Sequence, residues 1–230
     1  MYLSKITLHP SVHHLQPLSR RVKNDVYAAH QLLWQLFTEQ EARNFLFREE
    51  QTLSGKPEFW VLSTTKPAET FPQFQIQTKL FAPQLHDGQK LAFKLRVNPT
   101  ICLTDKDSGR QRRHDVLMNA KRQAKHQAKC AGISIDSDEI EALMTQAGQA
   151  WIQDEKRLAS WGIRFDFPPD IERYTQHRSF KASGQKVEFS SVDFQGVLTL
   201  SDSELFLAQY RKGFGRAKSF GCGLMLIRAL

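Results

Sequence analysis

The sequence has few cysteines, no long apolar run and no acidic residue near its end. Cys102, Cys130 and Cys222 show no CxxC spacing, and no Cys/His cluster has the pattern of a zinc site. This favours reduced thiols in a cytoplasmic protein. No stretch approaches the roughly 20 apolar residues that span a bilayer, and MYLSKITLHP lacks the apolar core of a signal peptide. We expect a soluble cytoplasmic protein with no membrane partner, metal or cofactor.

The positive charge is unevenly distributed. The chain has 230 residues, 40% of them apolar, and a net charge of +8, which suits one large domain or two of roughly 100–150 residues. Leu205–Leu230 contains no Asp or Glu but five Lys or Arg residues, and Arg110–Lys129 contains seven against Asp115 alone. A positive net charge is sufficiently explained by solubility. Its segregation favours a polyanionic partner.

The first half alternates between strand and helix patterns. Apolar and polar residues alternate over 2–9 and 91–99, which predicts two strands. The helical period predicts a helix over 24–37, capped by Asn24 or Asp25. Residues 44–50 and 58–65 are also predicted strands, while 71–81 fits either a short helix or an extended segment. The order β-α-β-β-(α)-β is typical of a ferredoxin-like or RRM-like unit.

The second half repeats this order. The pattern predicts helix over 138–162 with a break near Gly148, a short strand over 163–167, strands over 173–200 around Ser183-Gly184, helix over 201–213 and a strand over 222–230. Ser201 or Asp202 would cap the 201–213 helix, with Glu204 in a capping box. The predicted fold class is α+β with two tandem ferredoxin-like domains, 1–98 and 99–230. The polar, basic stretch at about 104–137 is predicted to be an insertion outside the core.

The first predicted helix has two stripes. One is apolar and is expected to pack on the sheet: Val26, Ala29, Leu33, Leu36 and Phe37. The neighbouring stripe contains Lys23, Tyr27, His30 and Trp34. Tyr27 and His30 are one turn apart, so both side chains can address one bound atom. A Tyr and a His at the margin of an amphipathic helix are more often simple boundary residues, and this pattern alone leaves both interpretations open.

The segment GFGRAKSFGCGL, 213–224, combines four glycines with two cations. It has neither the Walker nor the dinucleotide spacing. Small residues at Gly213 and Gly215 would let the backbone approach a phosphodiester, and Arg216 and Lys218 would add charge. The glycines also fit tight turns. In a ferredoxin-like fold this segment is expected to approach the start of the first helix.

The combination of these segments resembles one family. MYLSKI, VYAAHQLLWQLF with ARNFLFR, LAFKLRVNP, FQGVLTL and GFGRAKSFGCGL, in this order, resemble the CasE (Cse3) CRISPR RNA-processing endoribonucleases. The resemblance implies two ferredoxin-like domains that bind the repeat hairpin of precursor CRISPR RNA and cleave at the 3′ base of its stem. It implies metal-independent attack by the 2′-hydroxyl, a 2′,3′-cyclic phosphate and a 5′-hydroxyl as products, and retention of the protein as a Cascade subunit. The segment 114–146 has no match in it.

The resemblance places the family's Tyr-x-x-His pair on Tyr27 and His30, the predicted catalytic residues. An arginine that follows the histidine in some members is Gln31 here. His30 suits proton transfer near neutral pH, and Tyr27 suits orientation of a hydroxyl or phosphate oxygen. The outward-facing Lys94 and Arg96 are also suited to RNA. The predicted RNA-binding residues are Lys23, Arg112, Arg113, Arg178, Lys181, Lys186, Gly213, Gly215, Arg216 and Lys218.

Two other functions share this fold and charge. A non-catalytic RNA-binding subunit of a ribonucleoprotein complex would need the same basic surface without the histidine chemistry. A DNA-binding or nucleoprotein scaffold protein is the third possibility. A metal-dependent nuclease is disfavoured, because no carboxylate pair at a useful spacing accompanies the basic segments.

Overall fold

The structure is a computed structural model that describes residues 1–9, 26–37, 44–52, 54–105, 109–180 and 186–230, and only the backbone of Val26, Tyr27, Ser179 and Phe180. The strands are β1 (Tyr2–Leu8), β2 (Phe45–Gln51), β3 (Pro57–Ser63), β4 (Phe74–Leu80), β5 (Lys90–Val97), β6 (Thr100–Thr104), β7 (Gln111–Asp115), β8 (Ile163–Arg164), β9 (Asp170–Phe180), β10 (Lys186–Leu200) and β11 (Met225–Ala229). The α-helices are α1 (Val26–Trp34), α2 (Val116–Ala131), α3 (Ser137–Ile152), α4 (Glu155–Trp161) and α5 (Ser203–Lys212). Helix α1 runs into the 3-10 turn Gln35–Phe37, and a second such turn spans Lys218–Phe220. None of these helices is long and apolar enough to cross a membrane.

The first four strands form an antiparallel sheet in the order β2-β3-β1-β4. Helix α1 covers one face of it. Ala29, Leu33 and Leu36 are buried there against Ile6 and Phe59. The predicted apolar face of the first helix is confirmed for its described side chains, while the predicted caps Asn24 and Asp25 and the side chain of Val26 lie outside the described residues.

The ambiguous segment 71–81 is extended and forms the edge strand β4. Its Phe74 is buried while Gln75 and Gln77 are exposed, which is the alternation of a strand with one covered face. Residues 64–73, which connect β3 to β4, contain no helix. The first unit therefore keeps the strand order of a ferredoxin-like sheet without the optional second helix.

The second sheet has the order β11-β5-β10-β8, and β9 also pairs with β10. Strand β5 lies between β10 and β11 and pairs with both of them antiparallel. The predicted boundary after residue 98 assigned this strand to the first domain, and the pairing corrects that placement. The alternation in LAFKLRVNP correctly predicts a strand, but it carries no information about which strands will be its neighbours.

Helix α3 runs through Gly148 without the predicted break. A Cβ at this position would lie 2.8 Å from Ile171 Cδ1, so the glycine allows close packing of α3 on β9. The break occurs after Ile152, where the side chain of Asp154 accepts a hydrogen bond from Arg157 N and begins α4. A similar correction applies to α5. Its N-cap is Asp202, bonded to Leu205 N, so Glu204 is not at the capping-box position.

The basic segment at about 104–137 is partly core, contrary to the prediction. Strands β6 and β7 form a separate two-stranded sheet, which leads directly into α2. Val116 and Leu117 at the start of α2 are buried in the core of the second unit. Ala124 and Ala128 are buried on the same side of the helix. Helix α2 therefore packs beside α3 as an addition to the ferredoxin-like unit and presents its charged residues outward.

The glycine-rich segment folds into a compact double turn between α5 and β11. Phe214 N donates to Gly223 O over 2.9 Å, and Gly223 N donates to Arg96 O over 2.7 Å. Gly213, Gly215, Gly221 and Gly223 all have positive φ, as does Ala217. A Cβ at Gly223 would lie 2.7 Å from Phe214 O. The glycines thus serve backbone geometry and close packing, as the tight-turn interpretation requires.

We expect Gly223→Ala to destabilise the protein by roughly 2–4 kcal/mol, because it combines left-handed backbone strain with a clash against a backbone oxygen. Gly88 is a matched control, since it has φ +79° but no atom within 4 Å of a built Cβ. Gly88→Ala should lose only about 1 kcal/mol through backbone strain. Urea denaturation of both variants measures the difference, and equal losses would show that the contact with Phe214 is irrelevant.

Candidate active site between the two units

His30 lies in an aromatic cage between α1 and β2. Its ring centroid is 5.6 Å from that of Trp34, 5.9 Å from that of Phe45 and 6.2 Å from that of Phe47, and it stacks on Phe45. His30 as a whole residue is half-buried. Its predicted position at the edge of the core is therefore correct. The backbone of Tyr27 lies one helical turn earlier, and its side chain lies outside the described residues.

The glycine-rich turn contacts the same region. The 3-10 turn Lys218–Phe220 lies against α1 and β2. A Cβ at Gly221 would lie 3.2 Å from Phe47 Cε2, so the absence of a side chain there lets the turn reach the cage. The glycine-rich segment therefore reaches the first helix, while the predicted start of that helix, at Asn24 or Asp25, lies outside the described residues.

The β9–β10 hairpin of the second unit reaches this turn from the other side. Phe189 of β10 packs on Phe220 with centroids 5.0 Å apart, and His177 of β9 stacks on Phe189 at 4.6 Å. Strand β9 also lies beside α1. A continuous row of rings therefore runs from His177 to the turn, and the turn continues to Phe47 beside His30. The histidine-bearing helix, the glycine-rich turn and the hairpin converge at one place.

His177 is held neutral. Its Nε2 is 2.7 Å from Ser191 Oγ, and burial is the largest of the effects that lower its pKa to about 4, followed by the positive charge of Arg96. An imidazole of this kind orients neighbours by hydrogen bonding but carries no charge near neutral pH. Sequence reasoning overlooked it, and only its proximity to the turn draws attention to it.

The predicted cations divide into separate groups. Arg178 lies opposite Glu188 across the hairpin, and both Arg178 and Lys186 form ion pairs with Glu188, at 3.1 and 2.8 Å. Arg216 is exposed on the turn and Lys218 is half-buried. These four lie on the two elements that converge near His30.

The other predicted binding residues are placed differently. Arg112 and Arg113 are exposed on the β6–β7 hairpin, next to α2. Gly213 is buried, and its N–H donates to Gln209 O, so this N–H is not available to a phosphate. Gly215 lies at the turn, where a Cβ would lie 3.5 Å from Val97 Cγ1. Lys23 and Lys181 lie outside the described residues.

Arg96 was predicted to face outward, and the structure contradicts this prediction. Its Nε and Nη2 donate to the two carboxylate oxygens of Asp193 over 2.8 and 2.9 Å, and its Nη1 donates to Glu49 O over 2.9 Å. Arg48 of the first unit also contacts Asp193, at 3.2 Å, and pairs with Glu50. The only signals in the sequence are an arginine inside the apolar stretch FLFREE and an acid inside SVDFQGV. Lys94 is exposed, as predicted, and pairs with Glu172.

Glu49 is a half-buried residue at the junction of the units. Burial raises the pKa of Glu49 to about 7, although the Arg96 guanidinium opposes this change. Glu49 occupies the same face of β2 as Phe45 and Phe47, whose rings contact His30. Its charge therefore changes with pH close to the candidate site. Within the described part of the chain, no group of three or more His, Cys, Asp or Glu residues could hold a metal ion.

These features define a class of protein with two ferredoxin-like units and a helix-borne histidine beside a basic, glycine-rich turn. The sequence profile of a family described as CRISPR associated protein matches residues 1–229. The CRISPR system Cascade subunit CasE of Escherichia coli (strain K12) is 31% identical over 234 residues, which cover 100% of both chains. The chain thus belongs to the CasE/Cse3 family of CRISPR-associated proteins.

Solved structures agree with this fold. The crystal structure of the CRISPR-associated protein Cas6e from Escherichia coli K-12 superposes with a TM-score of 0.64 and 28% identity, covering 100% of both chains. A structure of the CRISPR endoribonuclease Cse3 bound to a 19-nucleotide RNA gives a TM-score of 0.68 and 24% identity, covering 99% of this chain and 100% of that one.

We expect Glu49→Gln to stabilise the protein at pH 8 but not at pH 5. The folded pKa lies above the ordinary value, so the folded state favours the protonated form, and stability falls as pH rises from about 4.5 to about 7. Glutamine mimics the protonated form and removes this loss, which is at most about 3 kcal/mol. Urea denaturation at both pH values measures it, with the exposed Glu69→Gln as control. An equal effect at pH 5 and pH 8 would contradict the assignment.

Proposed function

We propose that this protein is an endoribonuclease that binds the repeat hairpin of precursor CRISPR RNA and cleaves at the 3′ base of its stem. The observation that carries the proposal is the convergence of His30, the basic glycine-rich turn and the β9–β10 hairpin in a chain that matches Cascade subunit CasE over its full length. The RNA-bound structure of Cse3 supports it further. The proposal includes a cytoplasmic location and retention of the product in a Cascade complex.

The proposed reaction uses the RNA as its own nucleophile. The 2′-oxygen attacks the adjacent phosphorus, the bond from phosphorus to the 5′-oxygen breaks, and a 2′,3′-cyclic phosphate and a 5′-hydroxyl result. A proton leaves the 2′-hydroxyl and another must reach the 5′-oxygen. His30 suits one of these transfers, because an imidazole changes charge near neutral pH. The apolar rings of Phe45 and Phe47 pack on the imidazole and shield it from water on that side.

The remaining roles follow from position and charge. Tyr27 lies one turn before His30, a spacing that suits orientation of the 2′-hydroxyl or a phosphate oxygen. Arg216 and Lys218 on the turn, with Arg178 and Lys186 on the hairpin, would neutralise phosphates along the RNA. Arg178 and Lys186 would have to leave Glu188 to do so. Both ion pairs are exposed, and exposed pairs contribute little to stability, so the exchange is inexpensive.

We expect cleavage of a cognate repeat RNA to proceed in excess EDTA and to stop when the nucleotide 5′ of the scissile phosphate lacks its 2′-hydroxyl. Chelation removes any metal assistance, and the deoxy substitution removes the nucleophile. Denaturing gels of both substrates, with end-group analysis of the products, measure this. Cleavage of the deoxy substrate would exclude the mechanism. Tight binding without any cleavage of the unmodified RNA would instead favour a non-catalytic RNA-binding subunit.

We expect His30→Ala to reduce the single-turnover cleavage rate by roughly 10²–10⁴-fold, the usual contribution of a positioned acid or base. RNA affinity should change little, because one imidazole contributes little to an interface dominated by charge. Folding should survive, since Ala29, Leu32 and Leu33 of α1, which are buried in the core, are unchanged. The exposed His86→Ala is the matched control. A near wild-type rate would make His30 a boundary residue, and an equal loss of binding and cleavage would make it an RNA-positioning residue.

A further inference from the structure

We propose that Asp193, bound between Arg48 and Arg96, is a positioning residue that fixes the orientation of the two ferredoxin-like units and so controls the cleavage step more than RNA affinity. The inference rests on the proposed endoribonuclease function. We call Arg48, Asp193 and Arg96 the interdomain clamp. Arg48 belongs to β2 of the first sheet, whereas Arg96 and Asp193 are neighbours on β5 and β10 of the second.

The geometry of the clamp joins the two units in more than one way. The guanidinium of Arg96 forms two parallel hydrogen bonds to Asp193, at 2.8 and 2.9 Å, which fixes its plane. The third bond of Arg96 crosses to the backbone oxygen of Glu49, at 2.9 Å. Arg48 reaches back from β2 to the same carboxylate, at 3.2 Å. Two directional contacts therefore link β2 to the second sheet. Arg96 reaches from the second sheet to β2, and Arg48 reaches from β2 to the second sheet.

Two of the three clamp residues are buried. Arg48 is 1% exposed and Asp193 is 5% exposed. Removal of two charges from water costs several kcal/mol each, so buried ion pairs contribute less to stability than apolar groups of the same volume commonly would. Arg48 Nη1 has no hydrogen-bond partner among the described residues. Such a cluster restricts the relative orientation of the two units, because its planar groups bond only within a narrow range of relative positions.

Apolar packing also joins the units but is less directional. Leu46 and Leu62 of the first sheet are buried in the core of the second unit. Leu46 fills the space left by the missing side chain of Gly213, where a Cβ would lie 2.8 Å from both of its methyl groups. We therefore expect the units to stay together when the charge of Asp193 is removed. Apolar contacts tolerate small sliding movements that the clamp does not.

The clamp lies close in sequence to both sides of the candidate site. On β2, Arg48 directly follows Phe47, whose ring contacts His30. On β10, Asp193 is four residues from Phe189, which packs on Phe220 of the turn and on His177 of the hairpin. A rotation at the clamp would therefore move His30 relative to the cations of the second unit. A displacement of about 1 Å can cost on the order of a hundredfold in rate, whereas binding through many phosphates tolerates it.

The test compares Asp193→Asn with Glu172→Gln. The first keeps the shape of the side chain but removes the shared negative charge. The second removes an exposed ion pair with Lys94 on the same sheet, two residues before Arg96, and is the matched control. For Asp193→Asn we expect at least a tenfold lower single-turnover cleavage rate at saturating RNA and less than a threefold change in Kd. The control should match the wild type in both.

Two outcomes would overturn the proposal. They are an unchanged cleavage rate in Asp193→Asn and a loss of affinity as large as the loss of rate. If Asp193→Asn fails to fold, Arg96→Lys replaces it, because lysine keeps the charge but cannot form the paired bonds. It should lower the cleavage rate with a nearly unchanged melting temperature, and a wild-type rate would again overturn the proposal.

A distance measurement separates this proposal from the proposed function. Spin labels at exposed Gln77 of the first unit and exposed Glu141 of the second report the orientation directly, after replacement of exposed Cys102 and Cys130 by serine. We expect one narrow distance distribution in the wild type and a broader or shifted one in Asp193→Asn. Identical distributions would exclude the clamp even if the protein cleaves RNA. If the wild type does not cleave RNA, a broadened distribution would still support the role of the clamp in orienting the units, and only its link to cleavage would fail together with the proposed function.

Discussion

The structure depends on the burial of strand β2 on both of its faces. Phe45, Leu46, Phe47 and Arg48 are all buried, although β2 is an edge strand of its sheet. One face packs on α1 and the other on the second unit. An uncovered edge strand offers unpaired backbone groups to other chains, and here the second unit covers it. The bond from Arg96 to the backbone oxygen of Glu49 is part of that cover.

This double burial explains why the candidate site forms between the units. The face of β2 toward α1 carries the phenylalanines that surround His30, and the opposite face carries Leu46 and Arg48, which join the second unit. The glycine-rich turn closes the junction because two of its glycines leave room for β2 side chains, Leu46 at Gly213 and Phe47 at Gly221. Its glycines therefore act in assembly, while Arg216 stays exposed and Lys218 is half-buried.

Patterns that act within one element could be predicted from the sequence. The period of the first helix identified Ala29 and Leu33 as core residues and His30 as an edge residue, and the alternation in LAFKLRVNP identified a strand. Patterns that depend on a partner were misinterpreted. Gly148 suggested a helix break, but it allows close contact with Ile171. The basic stretch suggested an insertion, but Val116 and Leu117 anchor it in the core.

The sequence by itself determined which of these segments form helices or strands, the excess of positive charge at the end of the chain, and the pair of Tyr27 and His30 on one helix. These depend on side-chain period and composition, which are local. Only the tertiary structure decided that β5 belongs to the second sheet and that Arg96 turns inward to Asp193. A strand with one polar face can present it to water or to a partner, and only a buried counter-charge from another element makes the inward position favourable. Asp193 lies 97 residues after Arg96, so no local sequence pattern could predict that the two residues pair.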